Sequence, residues 1–313
     1  MSASVAAHHE PRRPRKRLGD RLFAGATRTA GLLILVALAG VAVFLTVQGV
    51  PAFSAPSDAL FGASSFVAYV GPLLFGTLLA AAIALLIATP LALGVALVIS
   101  HYAPRRLAKT IGYVVDLLAA VPSVVYGLWG IGFLGTKLVP VYEWLATHLG
   151  FIPLFAGPAS ATGRTILTAS VVLAIMVLPI ITAITREIFV QTPSLQQEAA
   201  LALGATRWEM IRMAVFPYAR SGIVSAMMLG LGRALGETMA VAMVLSASGV
   251  VTFNLIGSGN PSTIAANIAL QFPEATGLKV NALIASGLVL FVITFAVNFA
   301  ARAIVARGER GKK

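Results

Sequence analysis

The sequence has no cysteine and few charged residues. Without cysteine the chain can form no disulfide, thiolate nucleophile, iron–sulfur cluster or Cys-based zinc site. Only 11% of its 313 residues are charged and 58% are hydrophobic, whereas a soluble domain has about 25% charged residues. A water-soluble fold cannot bury this much apolar surface, so the composition predicts an integral membrane protein.

The common signatures of nucleotide, metal and catalytic sites are missing as well. The chain has no G-x-x-x-x-G-K-[ST] phosphate-binding loop, and its one Gly-Lys pair, Gly311-Lys312, is followed by Lys313. It has no HExxH or Gly-x-Ser-x-Gly pattern, and its four histidines form no metal-binding pattern. We therefore expect no catalytic residue, no metal site and no cofactor bound by this chain.

Long uncharged runs identify the membrane spans. A helix needs about 20 apolar residues to cross a bilayer, and the runs Thr29–Ser57 and Leu73–Ser100 both exceed that length. Pro90 falls inside the second run and should kink or end a helix there. The pattern predicts an all-α protein with six transmembrane helices, at about residues 30–47, 73–100, 111–135, 165–185, 222–248 and 280–301, and a polar loop over 136–163.

The distribution of positive charge gives the orientation of these spans. Nineteen of the 23 Lys and Arg residues fall in four segments that six spans place on one side of the membrane: 1–28, 101–110, 186–220 and 302–313. By the positive-inside rule this side is the cytoplasm, so both termini should be cytoplasmic. The net charge of +12 then reflects topology and contact with membrane lipid, and it does not indicate nucleic-acid binding.

The predicted spans divide the chain into four regions. Two basic cytoplasmic tails, over 1–28 and 304–313, flank the membrane part. A first transmembrane helix with an external loop occupies 29–70, and a core of five transmembrane helices occupies 71–303. The longest cytoplasmic connection of this core is the loop at 191–217.

This loop is predicted to form a short helix–turn–helix. Glu198 lies near the first turn of its Ala/Leu-rich first helix, where a carboxylate complements the helix dipole. Gly204 is a natural helix stop. A second helical stretch then covers 205–215 and should end before Pro217.

Two charged residues, Arg233 and Glu237, lie inside the otherwise apolar fifth span. An ionised side chain at mid-bilayer costs at least ~2.5 kcal/mol on insertion scales, so both should face protein or water. Four residues apart on one helix, they should share a face and lie close enough to pair. They form either a structural ion pair or an oxyanion site in which Glu237 orients the arginine. Gly230, Gly232 and Gly236 permit tight helix packing or close approach of a small solute.

The loop at 191–217 resembles the EAA motif of ABC-importer permeases, in which Glu-Ala-Ala is followed by a glycine and later by an Ile-x-Leu-Pro ending. The matching residues are Glu198, Ala199, Ala200, Gly204 and Pro217. Ala214 and Phe216 depart from the family, which usually has Ile and Leu there. The resemblance implies a type I ABC-importer permease fold, with a separate ATPase subunit that docks on the matching residues and Ala205 and uses the ATP.

The stretches GETMAV at 236–241 and VPSVVYGLWG at 121–130 resemble the PstC family, permeases of phosphate (Pst) ABC importers. This resemblance implies phosphate import across a bacterial plasma membrane. It also implies a PstA-like second permease subunit, two PstB-like ATPase subunits and a PstS-like phosphate-binding protein as partners. Ser123, Tyr126 and Thr238 are further candidates for a polar route beside the charged pair. Sulfate or molybdate import, or a non-transporting membrane scaffold, remains the alternative.

Overall fold

The computed structural model of the chain describes residues 18–310, and most of this part is α-helical. The α-helices are α1 Leu18–Gly49, α2 Phe66–Leu97, α3 Arg105–Ala119, α4 Ser123–Trp129, α5 Gly135–Leu149, α6 Ile166–Val190, α7 Ser194–Ala202, α8 Arg207–Met210, α9 Phe216–Gly236, α10 Met239–Val244, α11 Ile264–Gln271 and α12 Leu278–Arg310. The basic tails expected at 1–28 and 304–313 lie partly outside the described residues. The described part of the chain is helical from its first residue, Leu18, and still helical at its last, Arg310.

Two compact units make up the chain, and the described part of the first is α1 up to Val47. Large apolar side chains of this helix are exposed, and Leu32 and Leu35 each expose more than 60% of their surface (62% and 64%). A helix that is apolar around its circumference needs lipid or another protein around it. This unit therefore has the surface of a membrane-spanning helix.

The second unit, from Gln48 onward, is built on a tight seam between α2 and α6. Alanine occupies every fourth position of the buried face of α2, at Ala80, Ala84, Ala88, Ala92 and Ala96, and each is 1% exposed or less. Residues four apart form a ridge on a helix, and a ridge of small side chains lets two backbones approach closely. Apolar side chains of α6, including Val177 and Ile181, belong to the same buried cluster as the first four of these alanines.

A second ridge of small residues joins α9 to α6. Its members are again four apart: Gly222, Ala226, Gly230 and Ala234. A Cβ atom at Gly222 would collide with Ile188 of α6, and a Cβ atom at Gly230 would lie 2.9 Å from Ile181. The absence of side chains at these two positions therefore sets the distance between α9 and α6.

Six helical segments of the described chain are long and apolar enough to cross a membrane: Leu22–Ser54, Phe66–Tyr102, Ser123–Leu149, Ile166–Val190, Arg207–Gly236 and Leu278–Ala303. The prediction of an all-α protein with six spans is confirmed. Pro90 does not end its helix, because α2 continues through both Pro72 and Pro90 to Leu97.

The third span does not lie at 111–135, where the sequence predicted it. α3 ends at Ala119, and the spanning helix begins only at Ser123, after Pro122 in an extended conformation. A proline has no backbone N–H and also disfavours helical geometry in the residue before it, so the helix is broken here. The span then continues to Leu149 and occupies half of the loop expected over 136–163.

The segment between α10 and α11 is held by Asn260, which is fully buried. Its Oδ1 accepts a hydrogen bond from the backbone N–H of Ile166 at 3.0 Å. Its Nδ2 faces four backbone carbonyl oxygens at 3.1 to 3.3 Å, those of Arg164, Ser246, Gly257 and Ser258. One side chain thus joins the start of α6 to the segment that follows α10.

Candidate functional site

The fifth span is interrupted directly after Gly236. Glu237 leaves the helix with a ψ of 125°, and α10 begins at Met239. The buried carboxylate of Glu237 accepts a hydrogen bond from the backbone N–H of Ala240 at 3.2 Å. Glu237 therefore caps the start of α10, and the uninterrupted helix predicted over 222–248 is wrong.

Arg233 lies one turn before this interruption and faces a cavity of about 780 Å³. Within the described residues no ion pair joins Arg233 to Glu237, since the helix ends between them and the carboxylate is directed at α10. The predicted pairing on one helix face is therefore wrong. The cavity lies between α6, α9 and α12 and is lined by Ile180, Ser221, Val224, Ser225, Met228, Leu229, Gly232, Arg233, Asn298 and Arg302.

One row of α9 supplies much of this lining. Its members, Ser221, Ser225, Leu229 and Arg233, are four residues apart and lie directly beside the small-residue ridge that packs on α6. In the described part of the chain, the lining side chains provide hydroxyl, amide and guanidinium donors and include no carboxylate. A cavity with these groups is suited to an anion.

The three glycines near the charged residues have two different roles. Gly230 belongs to the ridge against α6, where a side chain would collide with Ile181. A Cβ atom at Gly232 or Gly236 would meet no described atom within 4 Å, and Gly232 lines the cavity. Tight packing therefore explains Gly230, and open space beside Arg233 explains Gly232.

α10 packs against α4, so the two stretches that the sequence singled out lie against each other. Gly127 permits this contact, because a Cβ atom there would lie 2.9 Å from Sδ of Met243 and 3.2 Å from the Cα atom of Ala240. Both helices begin directly after a break in the chain. The helices that follow the two breaks therefore pack against each other.

The three polar candidates lie around this contact. Tyr126 is buried and donates its hydroxyl to the carbonyl oxygen of Leu118 at 2.8 Å. Ser123 begins α4 and Thr238 precedes α10, and both are half-buried. The structure thus brings all three to the region between the breaks, with the Tyr126 hydroxyl already bonded to backbone.

Arg164 is a further candidate, which the sequence pattern did not single out. Its Nη2 lies 3.3 Å from the carbonyl oxygen of Met243 and 3.5 Å from that of Leu245. A cation at the last carbonyls of a helix complements its dipole, as an acid does at the first turn. The six residues of α10 therefore lie between Glu237 and Arg164. Because 79 residues separate Arg164 from Met243, no local pattern could have indicated this contact.

The EAA loop, residues 191–217, forms the predicted turn at Gly204. Gly204 has a φ of 86°, in the left-handed region that favours glycine. Glu198 and Ala199, on α7, are exposed, whereas Ala200 and Ala205 are half-buried. Ala200 packs on a buried cluster formed by the adjoining ends of α2, α6 and α9. The motif thus has one side fixed on the bundle and one side free.

The second arm of the EAA loop does not end before Pro217. α8, a π-helical turn at Ile211–Val215 and α9 join into one helix that runs from Arg207 to Gly236. The wider π turn directly precedes Pro217, so the helix continues past a residue that has no backbone N–H. One continuous helix therefore connects the EAA loop to Arg233.

A capping box begins this long helix. The backbone N–H and the hydroxyl of Thr206 both donate to Oε2 of Glu209 at 2.7 Å, and the N–H of Glu209 donates to Oγ1 of Thr206 at 3.3 Å. The Thr-x-x-Glu spacing that indicates such a box is present in the sequence, but the prediction did not use it. The box fixes the start of the second arm.

Large apolar side chains project from the EAA loop. Leu195, Leu203 and Trp208 expose 78%, 90% and 54% of their surface. Apolar side chains grouped in this way on a helical loop are typical of a surface that enters a groove on another protein.

These features define a class of protein before any comparison is made. Six helical segments of the described chain are long and apolar enough to span a membrane, and residues of α6, α9 and α12 line a cavity that contains Arg233. One continuous helix connects the end of that cavity to an apolar docking surface. This is the organisation of a multi-pass membrane transport component.

Comparison with known proteins gives the family. Residues 88–310 match the family described as "Binding-protein-dependent transport system inner membrane component", and the chain belongs to this family. It is 48% identical over 311 residues to the phosphate transport system permease protein PstC 2 of Mycobacterium tuberculosis, which covers 96% of this chain and 95% of that protein. It is 41% identical over 301 residues to PstC of Mesorhizobium japonicum, covering 93% and 91%.

A solved structure supports the fold. A chain of the MetNI methionine ABC transporter, in an inward-facing conformation, matches 74% of this chain and 92% of its own length with a TM-score of 0.53. The sequence identity is 18%, so the likeness concerns the fold alone. The predicted type I ABC-importer permease fold is confirmed.

Proposed function

We propose that this chain is the transmembrane permease subunit of an ATP-driven importer of inorganic phosphate and forms half of its translocation pathway. The observation that carries the proposal is Arg233, whose guanidinium lies about one turn before the end of the fifth span, in a cavity whose described lining contains no carboxylate. Guanidinium donors match the geometry of phosphate oxygens. The relatives named as phosphate permeases support phosphate over sulfate and molybdate.

Glu237 contributes selectivity in this proposal. Oε1 of its carboxylate holds the N–H of Ala240, and Oε2 can accept a hydrogen bond from a protonated phosphate oxygen, a group that sulfate lacks at neutral pH. The carboxylate repels every anion, and only a protonated anion offsets this repulsion with a hydrogen bond, so the same residue disfavours sulfate. Ser123, Tyr126 and Thr238 line a polar passage where α4 and α10 meet.

The EAA loop connects this pathway to its source of energy. One PstB-like ATPase subunit docks on Glu198, Ala199, Ala200, Gly204, Ala205 and Pro217, and a second docks on the PstA-like permease subunit that forms the other half of the pathway. Movement of the docked loop is transmitted along the helix from Arg207 to Gly236. ATP binding and hydrolysis in the partners thereby alternate the side to which the pathway opens.

The proposed orientation places both termini of this multi-pass protein in the cytoplasm of a bacterial cell. The basic regions 1–28 and 304–313 flank the membrane on that side, as the positive-inside rule requires. The first helix with its outer loop, 29–70, precedes the permease core at 71–303. A PstS-like binding protein delivers phosphate to the outer connections.

Uptake by the complete complex tests the proposal. The two permease subunits, the ATPase subunits and the binding protein are reconstituted in vesicles, and ATP-dependent entry of labelled phosphate is measured in competition with sulfate and molybdate. Phosphate should be taken up and should resist both competitors. Preferential uptake of sulfate or molybdate would show that this anion, and not phosphate, is the substrate. Absence of any uptake would favour a non-transporting scaffold.

A further inference from the structure

The cavity beside Arg233 extends far beyond that residue. Ser221 and Arg233 both line it, and their positions on one α-helix place them about 18 Å apart, at 1.5 Å per residue. Its volume of about 780 Å³ equals that of roughly 25 water molecules at ~30 Å³ each. The cavity is therefore a groove along α9, which we call the α9–α12 groove.

α12 supplies polar groups to this groove. Asn298 and Arg302 lie one helical turn apart and both line it, and Arg302 is exposed. Nδ2 of Asn298 donates one N–H to the carbonyl oxygen of Thr294 at 2.9 Å, so its second N–H remains for a ligand. α9 begins and α12 ends on the same side of the membrane if successive spans alternate in direction. Arg302 and Ser221 therefore belong to the mouth of the groove, and Arg233 belongs to its inner end.

The electrostatics of the groove favour an anion at both of its ends. Among the described residues, two guanidinium groups line it and no carboxylate does. Positive charge in a cleft with low-dielectric walls raises the local concentration of anions. A single strong site would retain its anion, whereas several weaker sites in series allow it to leave. A pair of separated arginines is thus suited to passage rather than to storage.

We propose that Arg302, together with Asn298, forms a second oxyanion site at the cytoplasmic mouth of the α9–α12 groove, which receives phosphate from Arg233 and releases it. The identity of the anion and the direction of travel rest on the proposed function. The existence of an aqueous, anion-attracting groove does not depend on it.

The absence of cysteine from the sequence allows a direct test. A Ser225→Cys variant is assembled into the complete complex, and the complex without this substitution gives the background from partner subunits. The thiol is modified, without nucleotide, by an anionic and by a cationic water-soluble methanethiosulfonate. Both should react, and the anionic reagent should react faster.

Arg302→Gln, added to this variant, should lower the ratio of anionic to cationic rates about tenfold. Removal of one charge at short range in water changes the two rates severalfold in opposite directions. Inorganic phosphate at millimolar concentration should slow the anionic reagent in the parent variant, and this protection should be lost with Arg302→Gln.

Arg220→Gln is the matched control. It also removes one positive charge, from the beginning of α9, but Arg220 lines a second cavity beside Pro217 that adjoins the groove at Val224. The rate ratio should stay within about twofold of the parent value. An unreactive thiol at position 225, an unchanged ratio with Arg302→Gln, or an equal effect of Arg220→Gln would overturn the second site. If a complex gives one of these contrary labelling results but still imports phosphate, the second site fails and the proposed function stands. If the labelling is as expected but the complex imports no phosphate, only the proposed function fails.

Discussion

α2 and α9 pack on the same helix, α6, through ridges of small residues. They differ in that α9 carries a charged residue, Arg233, in its membrane part and ends shortly after it. The α2 ridge is made of alanine and belongs to an uninterrupted helix of 32 residues. The α9 ridge alternates glycine and alanine, and the helix ends at Gly236. Glycine costs about 1 kcal/mol relative to alanine in a helix interior. The same mode of close packing thus serves a fixed frame at α2 and a more adaptable element at α9.

Assembly and stability should be most sensitive to added side-chain volume in the seam between α2 and α6, which we call the frame. Ala84 is fully buried in the seam with α6, so Ala84→Leu forces extra atoms into a closed contact and should cost at least the usual ~1–3 kcal/mol of overpacking. We expect loss of most of the assembled complex in size-exclusion chromatography, and a lower Tm of any complex that remains.

Leu86→Ala provides the control for the frame. Leu86 lies two residues farther along α2 and is 77% exposed within this chain, so its truncation should change stability by no more than about 0.5 kcal/mol. An Ala84→Leu complex with unaltered yield and Tm would show that the seam is not the frame.

The connection between the EAA loop and α9 should be next in sensitivity. Gly204 needs a positive φ, and a residue with a Cβ atom costs about 1–2 kcal/mol in that conformation. Gly204→Val should therefore distort the turn and reduce ATP-driven uptake about tenfold, with the spans still assembled. Gly94→Ala, in the open surface of α2 where a Cβ atom meets no described atom within 4 Å, should be neutral. Equal uptake by both variants would show that the turn at Gly204 does not couple the EAA loop to the pathway.

The cap on α10 should give the smallest effect. Glu237→Ala removes the acceptor for the N–H of Ala240, and loss of a helix cap costs about 1 kcal/mol. Uptake should fall about fivefold, and Glu237→Gln should recover part of it because the amide oxygen can still accept the bond. The preference for phosphate over sulfate should weaken in both variants. Full activity of Glu237→Ala would show that the interruption does not need its cap.

Two prolines show how far the sequence could predict this fold. Pro122 breaks a helix that was predicted to be continuous, and Pro217 lies inside a helix that was predicted to end. The difference depends on context, since a π turn precedes Pro217 whereas α3 simply stops before Pro122. The number of spans and the turn at Gly204 follow from local patterns of apolar residues and glycine, so they could be predicted.

The remaining parts of the candidate site depend on contacts between distant segments. The sequence identifies Arg233 as a charged residue in an apolar span. It does not show that the helix ends before Glu237, because the surroundings of Glu237 in the sequence are apolar in either case. The contacts of Arg164 with the end of α10 and of Asn260 with the start of α6 join residues 79 and 94 positions apart. The alanine ridge of α2 was readable from its spacing of four and was overlooked.

Uptake by the Arg233→Gln complex tests the central claim most directly. The complex should assemble with its partner subunits and keep its basal ATPase activity, because Arg233 lies in an open cavity rather than in a buried ion pair. Phosphate uptake should fall by about a hundredfold or more, as expected for loss of the charged ligand at the inner end of the groove, a change of about 2.7 kcal/mol at ~1.36 kcal/mol per tenfold. Disassembly of the complex, or uptake at the rate of the unaltered protein, would contradict the account.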